Sequence, residues 1–319
     1  TLIPVVEQLA GGTPFATWFR KAAPFLGGSR LNLNLKSQIV EGAPNTEVKV
    51  SAKADATDLN VTVRLAGTPA AWREGNIEVA ADLTSYTAAG VVSQLFLRDA
   101  GEAITGDARL DFKAAGVPGK SLATSLAGHV GNLNLAFDGN VVVPTDAAPR
   151  YDGSFRVDLP DAAPLLDVFD VSLPGIEGVL PVSLSGKATT AGLTADLAWQ
   201  NGLIAGRQVG GNLRLEQGPK GRLHLGAGDL AVDLVDLGWV AALGLGTTAL
   251  STDLPDEPWS RTPFGEAALA GVTADVNIAA ERLTVGDGMP VLNADLHLAA
   301  TPDRVDLDVK SGNALGGTV

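Results

Sequence analysis

The chain has 319 residues, no cysteine and a formal net charge of −13, with 45% hydrophobic but only 5% aromatic residues. The lack of cysteine excludes disulfides and thiolate chemistry. The acidic excess disfavours nucleic acid as a ligand, because phosphate binding needs clustered Lys and Arg. The apolar fraction is that of a folded protein with a mainly aliphatic core.

Residues 1–28 differ from the rest of the chain. Apolar side chains from Pro4 to Phe25 recur at helical spacing, and Gly11-Gly12 and Gly27-Gly28 are stop signals. This predicts an N-terminal helical segment of two short helices that cap or plug the start of a sheet. An ordinary packed helix pair is the simpler interpretation.

Residues 29–319 are dominated by strict alternation of apolar and polar side chains. In the stretch Arg30 to Lys36, Leu31, Leu33 and Leu35 alternate with charged and amide residues, and the same pattern returns along the chain. Alternation with a period of two residues is typical of strands with one apolar face and one polar, solvent-facing face. It predicts an all-β fold with short helical inserts: an elongated, twisted antiparallel sheet curled into an open groove, a β-taco.

The alternation is interrupted three times, each time after an Asp-Leu pair. Apolar residues at helical spacing follow at residues 86–96, 162–169 and 237–245. The interruptions are about 75 residues apart, which predicts one repetitive β-groove domain over residues 29–319, truncated at its C-terminus. Asp-Gly pairs at Asp138-Gly139, Asp152-Gly153 and Asp287-Gly288 predict turns.

The sequence offers no pattern for catalysis. His129, His224 and His297 stand singly on predicted strands, without the spacing of metal ligands or of a catalytic triad. Gly-rich phosphate loops and nucleophile motifs are also missing from the sequence. We therefore expect a protein that is not an enzyme and that uses no cofactor or metal.

Several segments resemble the AsmA family, the AsmA-like and TamB-like envelope proteins of Gram-negative bacteria. Trp259-Ser260 precedes a strand with Ala274-Asp275, then Arg282-Leu283 and Gly316-Gly317, in the family's order. Residues 110–134, which contain Gly119, Ser121-Leu122, Leu126-Ala127 and Gly131-Asn132-Leu133, resemble the family's small Gly-Lys-Ser-Leu helix followed by Gly-x-Leu-x-Leu. The resemblance covers residues 101–319 and is poor before them.

The resemblance implies a periplasmic protein with an inner-membrane anchor outside this chain. It further implies a long groove of strands with an aliphatic concave side. Family members are linked to outer-membrane lipid homeostasis and are thought to pass phospholipids between membranes. The implied partners are phospholipids or other acyl-chain lipids, the inner membrane, and outer-membrane proteins.

The hypothesis that joins both lines of argument is a bridge-like lipid-transfer protein. Its aliphatic groove would carry acyl chains between inner and outer membrane while the charged face meets water. The residues predicted to face the groove, as candidate lipid-binding positions, are Leu31, Leu33, Leu35, Val48, Val50, Leu59, Val61, Val63, Ile77, Val79, Leu110, Phe112, Leu133, Leu135, Phe137, Leu193, Leu197, Leu213, Leu215, Leu223, Leu225, Val276, Ile278, Leu296, Leu298, Val305 and Leu307.

Two alternatives use the same pattern differently. A structural scaffold without ligand, either one that assists outer-membrane protein assembly or an adhesin-like β-solenoid, would bury the aliphatic face as ordinary core. An outer-membrane barrel would need aromatic girdles, which two Tyr and five Trp are too few to supply. Alternation alone does not distinguish a filled core from an open groove.

Overall fold

The structure is a computed structural model, and it describes residues 28–40, 43–96, 100–101, 104–168, 179–192, 194–217, 223–238, 240–241, 272–284, 290–301 and 304–318. The predictions for the helical segment at residues 1–27, for Leu193, for Trp259-Ser260 and for Asp287-Gly288 lie outside these residues. The chain divides into two compact units, Thr1–Ala147 (unit 1) and Ala148–Val319 (unit 2). Both are built mostly of strands, which confirms the all-β fold.

Unit 1 contains seven described strands that pair in chain order. They are β1 (Arg30–Val40), β2 (Ala43–Ala54), β3 (Thr57–Ala66), β4 (Asn76–Ser85), β5 (Ala108–Val117), β6 (Ser121–Val130) and β7 (Leu133–Val142). Each strand is antiparallel to the next, without a register shift. Because the register is unbroken, side chains that alternate along one strand meet their equivalents on the next strand.

Unit 2 contains nine described strands. They are β8 (Arg150–Leu159), β9 (Val182–Ala191), β10 (Thr194–Ile204), β11 (Arg207–Gln217), β12 (Leu223–Asp236), β13 (Val272–Thr284), β14 (Val291–Thr301), β15 (Arg304–Ala314) and β16 (Gly317–Thr318). They also pair in chain order, with register shifts that place extra residues in β10, β12, β14 and β15.

One pair of strands departs from the predicted antiparallel pattern. β12 and β13 run parallel, with Leu230 opposite Ile278 and Val232 opposite Ala280. A parallel pair needs a crossover of a dozen or more residues, and residues 237–271 supply the length. Alternation indicates which side chains share a face but not the direction of a strand, so the sequence prediction was wrong here.

Short helices follow the fourth strand of unit 1 and the first strand of unit 2. α1 spans Ala88–Phe96 and α2 spans Ala163–Val168, which confirms the helices predicted at residues 86–96 and 162–169. Residues 237–238 and 240–241, directly after β12, are also helical. The rest of the third predicted helix lies outside the described residues.

Three local predictions were wrong. Asp138-Gly139 and Asp152-Gly153 lie inside β7 and β8 rather than in turns. The alternation continues through both pairs, so pairing with neighbouring strands decides their conformation. The turn before β7 uses Gly131 instead, whose φ is +58°. The helix implied around Ser121-Leu122 is the first part of β6.

Candidate functional site

The aliphatic side chains of unit 1 form one continuous surface, called here the apolar face. The register aligns them in rows that cross the strands, and the central row is Leu33, Val50, Val61, Ala81, Phe112, Leu126 and Phe137. A second row is Leu31, Ala52, Leu59, Leu83, Leu110, Gly128 and Leu135. Every candidate residue predicted in unit 1 lies on this face.

The middle of the apolar face is not filled by side chains of the described residues. No member of the two rows is buried: each residue of β2 to β7 in them is half-buried, and Leu33 on β1 is 61% exposed. Apolar side chains in a filled core are normally almost completely buried. A contiguous half-exposed aliphatic surface of this kind is typical of ligand grooves and interaction sites.

The two ends of the apolar face are covered. At one end α1 places Ala88, Val91 and Val92 in buried positions, and the row beneath it contains buried Thr57 and Ser85. The Thr57 hydroxyl donates to the Ser85 hydroxyl at 3.1 Å, so the polar atoms at this end are paired. The sequence predicts α1 as an interruption of the repeat. It does not predict that α1 covers this end of the apolar face.

At the other end the loop between β3 and β4, residues 67–75, contacts the face. Leu65 and Ile77, the last residues of the face on these strands, are buried. A Cβ added at Gly75 would lie 2.8 Å from Leu65 Cδ1, so the loop backbone rests directly on that side chain. Ile77, which the sequence predicts to face the groove, is 8% exposed and is therefore buried at this end of the face.

The opposite side of the unit 1 sheet, the polar face, carries paired charges. Arg64 Nε donates to Glu47 Oε2 at 3.1 Å and its Nη1 lies 3.6 Å from Glu78 Oε2, while Lys49 Nζ lies 3.1 Å from Glu47 Oε1. Hydrogen bonds from Lys49 and then Arg64 hold the pKa of Glu47 below its usual value. The two Arg64 pairs cross from β3 to β2 and to β4 and so support the register, whereas the Lys49–Glu47 pair lies within β2.

The candidate residues of unit 2 that the structure describes also align across its strands. Leu197 lies opposite Leu213, Leu215 opposite Leu225, and Leu298 opposite both Val276 and Leu307. Leu223 pairs with Val272, Ile278 with Leu296, and Val305 with Ala300. Most of these side chains with described burial are half-buried.

Two candidate residues of unit 2 are buried against other side chains of the protein. Leu296 is 1% exposed, in a cluster with Ala280, Leu283 and Ala294. Val276 is buried in a neighbouring cluster with Ala274 and Ala300. The sequence predicts both residues to face the groove, and strand alternation gives the face of a residue but not what covers that face.

Each histidine lies near a polar side chain, and for His297 it is Asp275, with His297 Nε2 3.8 Å from Asp275 Oδ1. His129 Nε2 lies 3.4 Å from Asp107 Oδ1, and His224 Nδ1 lies 2.7 Å from the Thr273 hydroxyl. Over the described ranges no three His, Asp or Glu side chains gather as a metal site would require. In the same part of the chain, no helix combines the length and apolarity needed to cross a bilayer.

Sequence reasoning missed the pair Trp72 and Arg73 in the β3–β4 loop. The Arg73 guanidinium carbon lies 4.5 Å from the centroid of the Trp72 ring. The adjacent Trp-Arg letters were a signal for such stacking, although nothing in the sequence placed them at the end of the apolar face.

Comparison of the chain with protein-family models, curated proteins and solved structures finds no match.

Proposed function

We propose that the protein is a periplasmic lipid-transfer protein whose apolar face carries the acyl chains of phospholipids between the inner and outer membranes. The single observation that carries the proposal is the central row of unit 1. It crosses all seven strands without one buried side chain. With strands about 4.8 Å apart, that row is about 29 Å wide.

The chemistry of the face suits hydrocarbon rather than a polar ligand. Valine, leucine and phenylalanine line the rows, and the charged residues of the same strands point to the opposite side. Burial of one methylene gains about 0.8 kcal/mol, so complete burial of an acyl tail of about sixteen carbons is worth on the order of 12 kcal/mol. The tail gains a similar amount in a bilayer, so the face would serve exchange rather than permanent capture.

The destination of the lipid and the periplasmic location derive from the resemblance to the AsmA family. The family motifs lie partly in residues that the structure describes, and Ala274-Asp275 and Arg282-Leu283 are on β13. An anchor in the inner membrane and contacts with outer-membrane proteins belong to the same proposal.

The scaffold alternative has one observation in its favour. The buried clusters around Leu296 and Val276 are packed as ordinary core. This part of unit 2 would then stabilise the sheet without contacting lipid, whereas the half-buried rows of unit 1 would bind it.

The test uses two neighbouring substitutions on β3. Val61 lies in the central row of the apolar face, and Thr62, also half-buried, lies on the polar face. We expect the purified full chain to carry phospholipid detectable by native mass spectrometry. Val61→Asp should leave the protein folded and lose bound lipid and fluorescent fatty-acid binding, and the control Thr62→Asp should keep both.

Two results would contradict the proposal. The first is a wild-type protein that contains no lipid and, after delipidation, binds no fatty acid. Lipid would then not be a ligand of this protein. Unfolding by Val61→Asp but not by Thr62→Asp would indicate a dry core under Val61, because a buried unpaired carboxylate costs several kcal/mol. The scaffold alternative predicts this second result.

A further inference from the structure

Arg73 is held at the loop-covered end of the apolar face by backbone hydrogen bonds. The amides of Glu74 and Gly75 both donate to the Ala71 carbonyl, at 3.1 and 3.2 Å. The Arg73 carbonyl accepts from the Gly119 amide at 2.9 Å, which ties the β3–β4 loop to the turn between β5 and β6. The loop therefore presents Arg73 in a fixed position where two neighbouring connections of unit 1 meet.

The guanidinium of Arg73 retains an unused donor. Its Cζ lies over the Trp72 ring, 4.5 Å from the centroid, and its Nε is buried without a hydrogen-bond partner among the described residues. A buried N–H that makes no hydrogen bond is costly, and such groups call for an explanation. A planar guanidinium whose one face is occupied by an aromatic ring still offers its edge to an acceptor.

The two connections that meet at Arg73 carry more positive than negative charge. Arg73 lies in the β3–β4 loop and the exposed Lys120 in the adjoining β5–β6 turn, with the exposed Glu74 as the one carboxylate of these two connections. The α1 end carries exposed charges of both signs, Arg30 and Lys53 as well as Asp55 and Asp107. Two cations against one carboxylate favour an anionic group next to these two connections.

We propose that Arg73, stacked on Trp72, binds the phosphate of a phospholipid headgroup whose acyl chains lie on the apolar face of unit 1. This inference rests on the proposed function, since it needs acyl chains on that face. Guanidinium groups bind phosphate through paired N–H donors, and these charge-assisted bonds are stronger than neutral ones. Arg73 would thereby fix the orientation of the lipid, with its headgroup at the β3–β4 loop and its tails toward the central row.

The test compares two lipids with the same acyl chains, one with and one without the phosphate. Binding of phosphatidylglycerol and of diacylglycerol to the delipidated full chain is measured by displacement of a fluorescent fatty acid. Arg73→Gln keeps much of the side-chain length and removes the charge, and Arg73→Lys keeps the charge without the planar donor pair. The matched control is Arg109→Gln on the polar face, where Arg109 Nε lies 3.3 Å from Asp111 Oδ2.

We expect Arg73→Gln to weaken phosphatidylglycerol binding about tenfold, with a smaller loss in Arg73→Lys. Diacylglycerol binding should stay within about twofold of wild type in all variants, and Arg109→Gln should change neither lipid. Equal losses for both lipids would overturn the assignment, because Arg73 would then only shape the loop. Unchanged phosphatidylglycerol binding in Arg73→Gln would overturn it as well.

Further results distinguish a headgroup site from a site for free phosphate and from a failure of the proposed function. The Arg73 Nε–H resonance is also followed by NMR while inorganic phosphate is added. If inorganic phosphate binds with the same affinity as phosphatidylglycerol, the site is one for free phosphate, and the headgroup assignment is wrong. Wild-type protein that binds neither lipid would overturn the proposed function itself. Wild-type binding of both lipids with no preference for the phosphate would overturn only the headgroup site.

Discussion

Replacement of Leu296 by alanine tests how the buried part of unit 2 is stabilised. Leu296 is 1% exposed and packs against Ala280, Leu283 and Ala294. Truncation of a buried leucine to alanine costs about 2–5 kcal/mol, as lost transfer energy plus the cavity that remains. Paired strands on both sides hold the backbone of β14, so the cavity cannot collapse, and we expect a loss of about 3 kcal/mol.

The same strand provides a matched control. Leu292 is 45% exposed, so Leu292→Ala removes an apolar side chain without creating a cavity. Because about half of this leucine is already in water, only about half of its transfer free energy is lost. We expect the free energy of unfolding to fall by about 1 kcal/mol. The difference between the two variants should therefore be about 2 kcal/mol.

Native-state hydrogen exchange is the suitable assay, because a chain of two units need not unfold in one step. Amides of β13 and β14 should lose protection by about 3 kcal/mol in Leu296→Ala and about 1 kcal/mol in Leu292→Ala, while amides of β3 and β4 serve as an internal reference. Equal losses in both variants would refute the reasoning, since they would mean that Leu296 has no packed surroundings to lose.

Three other predictions concern unit 1. Gly128→Ala should lower the free energy of unfolding by roughly 3 kcal/mol, measured by thermal unfolding, because φ is +153° and the new Cβ would lie 1.9 Å from the Arg109 carbonyl oxygen; an unchanged midpoint would contradict the close approach of β5 and β6. Thr57→Val should cost about 1 kcal/mol, since its buried hydrogen bond to Ser85 is lost; denaturant titration checks this, and a stabilised variant would refute it. Glu47→Gln should lower the melting temperature at pH 7, and by less as the pH falls below 4.5. A lowered carboxyl pKa stabilises the fold above the ordinary value of 4.5, and that contribution is lost as pH falls through the lowered pKa. An effect that stays constant with pH would argue against the ion pairs.

The faces of the sheet could be predicted from the sequence because alternation is a local property. Val61 and Thr62 point to opposite sides by the geometry of a strand, and pairing in register then aligns each strand with the next. The helix at Ala88–Phe96 was likewise visible, since its apolar spacing breaks the period of two.

The cover over each part of the face could not be predicted, because cover depends on contacts between distant residues. Ile77, Val276 and Leu296 share the alternation of Val61, and yet they are buried and Val61 is half-buried. Similarly, nothing in the letters of β12 and β13 distinguishes a parallel from an antiparallel pair.

The most direct test of the central claim is to locate a bound acyl chain on the sheet. Methyl-labelled full chain is titrated with a spin-labelled fatty acid, and the broadening of each methyl resonance is measured by NMR. We expect strong broadening at Val61 and Val63 and little at Leu283 and Leu296, which are buried against other side chains. Equal broadening at all four residues, or none at Val61 and Val63, would contradict an open lipid-binding face.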